Sequence, residues 1–213
     1  MKSYGHYCGL AKALDVVGDR WTLLIVRELL ARREARYTDL MHGLPGIATN
    51  LLATRLRDME ASGLIARDDA PPPVATAVFR LTERGRALEP VVRALGAWAG
   101  PLMGTPTEDE VFRSHWLALP IELYFRDRHP DQPPVRIEVR TGTESETPSL
   151  IETMDGAVKV HAGTVAAPDA SLAGPPHLIM AVLAGRVSLA AARARGLQFS
   201  GRAGAIKRLQ FVR

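Results

Sequence analysis

A mainly helical first half followed by an α+β second half is predicted by three features of the chain. The first is the stretch ATNLLATRLRDMEASGLIAR, residues 48–67, in which Leu52, Leu56 and Met59 recur at helical spacing, with Asn50, Thr54 and Arg57 on the opposite face. Gly63 stops that helix, and Leu64 to Arg67 begins an apolar run that reads as a strand. The second is the linker composition of GPLMGTP, residues 100–106, after which the pattern changes character. The third is the strict alternation of Val135 to Arg140, followed by two strand-like segments joined through Asp155-Gly156, a hairpin signal. These divide the chain into 1–100, a linker at 101–108 and a second domain at 109–213. The order helix, turn at Pro45-Gly46, helix, glycine, strand is that of a winged helix-turn-helix.

Within the first half, Leu10 to Val17 forms a short helix with Leu10, Ala13, Leu14 and Val17 on one face, ended by Gly18. Asp19 caps the next, from Arg20 to Arg33, with Trp21, Leu24, Ile25 and Leu29 turned into the core. Thr38 caps the brief TDLMHGL helix, and Ala48 or Thr49 opens the organising one. The proline-rich DDAPPPVA cannot pair as a central strand and reads as the tip of a wing whose second strand runs from Thr76 to Leu81. Thr82 then opens a long helix, kinked at Pro90, whose apolar residues Leu88, Val91, Val92, Leu95 and Trp98 exceed what a three-helix core can cover. That surplus reads as the seam of a homodimer.

In the second half, Glu108 to Phe125 carries apolar residues at helical spacing, divided by Pro120, and RDRHPDQPP reads as a loop. Strands follow at 135–140, 149–153 and 157–161. Helices come next at HLIMAVLAG and SLAAARARG, then a strand at 197–200 and a closing helix from Ala203 to Phe211. Strands covered by helices make an α+β layer.

Composition narrows the function. The 213 residues are 46% hydrophobic with a formal charge of +4, which permits a polyanionic partner without requiring one. No apolar run reaches the ~20 residues of a membrane span, and the N-terminus lacks the apolar segment of a secretory signal. A cytoplasmic protein is expected. No metal-spaced His/Cys cluster, phosphate-binding glycine motif or nucleophile elbow is present, so neither catalysis nor a cofactor is expected. His161 and His177 read as surface or satisfied histidines.

A helix entering the major groove offers its first turns to base edges. Thr49, Asn50, Ala53 and Thr54 occupy that end: Asn50 suits adenine, the threonines bases or phosphates, and Ala53 a thymine methyl. Arg55 and Arg57 suit guanine or phosphate; the alternative is that Thr49 and Asn50 are caps and Arg55 pairs with Asp58 or Glu60. Arg20 and Arg67 are either phosphate contacts or members of surface ion pairs. Cys8, the single cysteine, precedes a helix N-terminus and is either a redox-sensing thiol or a small buried apolar residue. No residue after Asp169 is acidic, while Arg186, Arg193, Arg195, Arg202, Lys207, Arg208 and Arg213 are basic. They extend a DNA-facing field, bind an acidic ligand, or form a solvated face.

The segments YCGLAKALDVVGDRWTLLIVRELL, LPGIATNLLATRLRDMEASGLIAR and FRLTERGRALEPVVRALGAWA resemble, in that order, the HxlR-type winged-helix transcription regulators. The resemblance implies a bacterial DNA-binding homodimer, usually a repressor and sometimes an activator, and gives Cys8 the position of a thiol sensor in some relatives. The acidic, proline-rich wing tip departs from the basic residue that family members carry there. The passage from Val158 to Leu209 resembles the sterol carrier protein type-2 family around Asp169, Gly185-Arg186 and Gly196 to Gly201, which implies a tunnel for an apolar ligand. Three functions follow: a dimeric operator-binding regulator modulated by an apolar small molecule, a thiol-switch regulator whose second domain supports dimerisation, or a lipid carrier with a protein-interaction module.

Overall fold

The computed structural model describes residues 3–69, 77–104, 106–107, 109–142 and 147–212. The chain divides into two units, Met1–Leu102 and Met103–Arg213.

The first unit begins with α1 (Gly9–Val17) and α2 (Thr22–Arg32). Of the apolar face of α1 only Val17 is covered, with Ala11 beside it, whereas Leu10 and Leu14 are 69% and 40% exposed. Periodicity identified an apolar face on this helix but not the body that covers it. Asp19 does not cap α2 with its side chain; Trp21 occupies the N-cap position at φ 85°, and α2 starts two residues later than expected. Ile25, Val26 and Leu29 are buried, while Leu24 is 41% exposed and leaves the predicted inward stripe. A short strand, β1 (Glu34–Arg36), was not legible, because EAR has no β-branched residue and three residues are too few to establish a period. Helix α3 (Tyr37–Gly43) is capped by Asp39, whose carboxylate accepts the Arg36 N–H at 2.8 Å; Thr38 lies inside the helix.

Gly46, at φ 87°, turns the chain into α4 (Thr49–Ala61). Leu52, Leu56 and Met59 are buried as the pattern required, each worth about 1.5–3 kcal/mol relative to exposure. Strands β2 (Ile65–Asp69) and β3 (Ala77–Leu81) pair antiparallel, with β3 central in the order β1-β3-β2. Thr76 and the proline-rich tip lie outside the described residues. Thr82 opens the next helix, its hydroxyl oxygen accepting the Gly85 N–H. The expected single kinked helix is two: α5 (Glu83–Arg86) ends in a turn, and α6 (Glu89–Ala99) begins with Pro90 in its first turn. A proline lacks the N–H that an interior position must donate, and the first turn is where none is needed.

In the second unit a 3-10 turn (Ser114–Leu117) leads into α7 (Ala118–Tyr124), with Pro120 in its first turn. The longer helix expected over 108–125 is thereby reduced, and Glu108 lies outside the described residues. Part of the expected loop is β4 (Phe125–Asp127), paired with the last strand rather than with a sequence neighbour. Strands β5 (Arg136–Arg140), β6 (Ser149–Met154) and β7 (Ala157–Ala162) follow, the last two turning through Asp155 and Gly156, both at positive φ. Then come β8 (Ala170–Ala173), α8 (Pro176–Leu183), α9 (Leu189–Arg193), β9 (Gln198–Gly201), α10 (Ala203–Lys207) and β10 (Leu209–Phe211). The closing segment is thus helix then strand, not one helix. The sheet runs β7-β6-β5-β8-β9, antiparallel except for β5 with β8. Ile137, Val139, Ile151, Val158 and Leu172 of the sheet share one apolar cluster with Ile121, Leu178, Ile179 and Ile206 of the helices. Alternation in β5 gave its other face to water, yet Glu138 there is 8% exposed and paired with Arg140.

Arg208 and Asp127 form a buried bidentate pair at 2.8 and 2.6 Å, and Arg208 also donates to the carbonyls of His129 and Pro133. These bonds hold Asp127 below the usual carboxylate range, aided by the His129 N–H.

Candidate nucleic-acid interface

The polar side of α4 is built by the same heptad-like spacing that buries its apolar side. Leu52, Leu56 and Met59 anchor the helix inward, so Thr49, Asn50 and Arg57 are exposed and Ala53, Thr54 and Arg55 are half-buried. The N-cap is Ala48, with no side-chain cap and no acidic residue in the first turn, so Thr49 and Asn50 are not capping groups. The positive end of the helix is left for an anion. The Tyr37 hydroxyl donates to the Thr49 carbonyl at 2.7 Å and ties α3 to this end of α4.

Thr54 donates its hydroxyl proton to the Asn50 carbonyl at 3.0 Å, and Arg57 folds back on its own helix, onto the Ala53 carbonyl and the Thr54 hydroxyl, both at 3.3 Å. Asn50, Thr54 and Arg57 therefore form one ridge. Arg55 stands apart from it: its guanidinium is held by the carboxylates of Asp19 and Asp58. The position that spacing offered to guanine or phosphate is occupied by an ion pair, with Asp58 as one partner and Asp19, 36 residues away, as the other. Nothing local in the sequence pairs Asp19 with Arg55.

Arg20 is exposed with its guanidinium carbon 5.6 Å from the Trp21 ring centroid. Arg67 is exposed on β2. Across the same hairpin Arg80 pairs with Asp68, and this pairing raises the Arg80 pKa. Position 85 demands glycine, because a Cβ there would meet the Leu64 carbonyl oxygen at 2.0 Å.

The residues expected to form one dimer face differ in exposure, and Leu88 stands at the N-cap position just before α6. Leu88 and Val92 pack against their own core, whereas Val91, Leu95 and Trp98 are 44%, 46% and 75% exposed. Helix α6 also packs on α2. Leu10 and Leu14 of α1 and the exposed Tyr7 add further apolar surface in the same unit.

Cys8 is exposed at the N-cap position of α1. The N–H groups of Ala11 and Leu10 pull its thiol below the ordinary range. The buried apolar alternative is excluded by that exposure. Ser3 and the Tyr4 N–H both donate to Asp15, holding the segment before Cys8 against α1. Among the described residues no group of three or more His, Cys, Asp or Glu side chains is placed to hold a metal ion, and no helix is long and apolar enough to cross a membrane.

Helices α2, α3 and α4 around one core, closed by a three-stranded antiparallel sheet, define a winged helix-turn-helix unit. The profile of the HxlR-like helix-turn-helix family matches residues 16–105. The chain is 36% identical over 91 residues to the uncharacterized HTH-type transcriptional regulator sll1512 of Synechocystis sp., covering 43% of this chain and 67% of that protein. It is 33% identical over 88 residues to the uncharacterized HTH-type transcriptional regulator YvaP of Bacillus subtilis, covering 41% of this chain and 81% of that one. Among solved structures it is similar to the redox regulator HypR in its reduced form, with 26% identity, a TM-score of 0.42, and coverage of 44% of this chain and 92% of that one. This chain belongs to the HxlR-like helix-turn-helix family.

Proposed function

We propose that this protein is a dimeric, sequence-specific DNA-binding transcription regulator, acting as a repressor where its site overlaps a promoter. The observation that carries the reading is the ridge of Asn50, Thr54 and Arg57 on a helix whose opposite side is buried, with an uncapped N-terminus. Family membership and relatives named as HTH-type transcriptional regulators support it. The exposed apolar residues Val91, Leu95 and Trp98 support dimerisation, which would place two half-sites about 34 Å or a multiple apart. Enrichment of a random-sequence duplex library by the chain, followed by binding of the selected duplex to N50A and R57A, tests it. N50A is expected to lose about 1–3 kcal/mol of discrimination at one base pair, and R57A to weaken binding by a similar amount. A wild-type chain that enriches no sequence refutes the reading.

A second reading attaches to Cys8, whose exposed, acidified thiol at the start of α1 suits redox control of the same activity. Oxidant is then expected to change duplex affinity in the wild type and not in C8S; equal responses remove it. For the second unit the reading includes an apolar small-molecule ligand. It is supported by the partly buried Phe112, Met180, Val187 and Phe199 around its core, and saturable uptake of a fluorescent fatty acid tests it.

A further inference from the structure

The turn that joins α1 to α2 approaches the turn before the reading helix at one point and holds the helix itself at a second. At the first, Trp21, held at φ 85°, lays its ring near Gly46, where an added Cβ would stand 3.9 Å from Cη2. Gly46 is the turn residue that leads into α4. At the second, Arg55 from the middle of α4 donates through one nitrogen to Asp58, a turn further along its own helix, and to Asp19 in the α1–α2 turn. The Arg55 side chain is 18% exposed, while its partners Asp19 and Asp58 are 51% and 44% exposed, so the guanidinium is held in place at the surface by two carboxylates.

We propose that Asp19 is a positioning residue for DNA reading: by holding Arg55 it sets the rotation of α4 about its own axis. Five residues separate Arg55 from Asn50, which places them roughly 140° apart around the helix. A tether on that side therefore turns the ridge of Asn50, Thr54 and Arg57 without touching it. Base-edge hydrogen bonds are directional, so a small rotation costs specific contacts, while phosphate contacts by flexible side chains tolerate it. The inference rests on the DNA-reading function proposed above.

The test uses the full chain and the duplex enriched from a random-sequence library by the wild type, with a scrambled duplex as control. Affinities of D19N, R55A and the double variant D19N/R55A are measured by fluorescence anisotropy over a salt series, on protein whose folded state is verified by circular dichroism. Each single change is expected to weaken the selected duplex about tenfold, within the range for residues in direct contact, and the double variant to be no weaker than either. Binding to the scrambled duplex and the salt slope stay as in the wild type, and D19E, which keeps the charge, stays within about threefold. A merely structural pair would lower the melting temperature and leave the selected-to-scrambled ratio unchanged, and that result overturns the proposal. So do additive losses, D19N within twofold of wild type, or a slope flattened by R55A alone, which would make Arg55 itself a phosphate ligand. A wild type that enriches no duplex refutes the DNA-reading function instead, and the positioning role with it.

Discussion

Replacing Trp98 by aspartate tests the apolar side of α6 as the place where two copies meet. A tryptophan side chain buries roughly 200 Å². At 75% exposure most of that area is uncovered, about 150 Å², which at about 25 cal/mol per Å² is worth about 4 kcal/mol per copy on burial. A twofold interface contains the residue twice, and an aspartate there adds an unpaired charge. The dimer dissociation constant of W98D is therefore expected to rise by at least about a thousandfold, the equivalent of one copy. Sedimentation velocity over a concentration series reads this directly, and duplex binding should become second order in protein. The fold should survive, because Trp98 is exposed, whereas Leu88 and Val92 pack against their own core. L88A should accordingly lower the melting temperature and leave the association constant nearly unchanged. A W98D chain that sediments as a dimer within tenfold of the wild-type constant, or an L88A chain that dissociates, would refute this division of the residues.

D127A leaves the buried Arg208 guanidinium without its carboxylate and should destabilise the second unit by about 3–5 kcal/mol. Calorimetry should find most of that restored in D127A/R208M. Because the Asp127 pKa is depressed in the folded state, its contribution is fully present above the unfolded value of about 3.9 and is lost as pH falls through the folded one. A second-unit transition that stays flat from neutral pH to pH 2 would contradict this. G85A must push a Cβ away from the Leu64 carbonyl oxygen and should cost about 1–3 kcal/mol, read as a lowered denaturant midpoint. R67A should weaken selected and scrambled duplexes alike and flatten the salt slope by about 1, whereas a loss confined to the selected duplex would make Arg67 a base reader.

What the sequence determined by itself are the features whose cause is local. Leu52, Leu56 and Met59 repeat at the helical period, so the side of α4 that faces inward, and with it the outward placement of Asn50 and Arg57, was legible before any coordinates. The hairpin at Asp155-Gly156 and the helix start at Thr82 were legible for the same reason, since turn and cap preferences act over a few residues. Tertiary structure alone decided the rest. Strand β4 exists because β10, some eighty residues later, pairs with it, and EAR is a strand only because β3 lies beside it. Leu10 and Leu14 repeat at helical spacing and lie outside, because an apolar face by itself does not say what covers it. Arg55 read either as a DNA contact or as the partner of Asp58 or Glu60; the Asp58 pair was legible in the spacing, whereas Asp19 arrives from another turn of the chain. A local pattern specifies which way a side chain points, while an ion pair between distant residues depends on how whole elements pack, and no spacing along the chain encodes that.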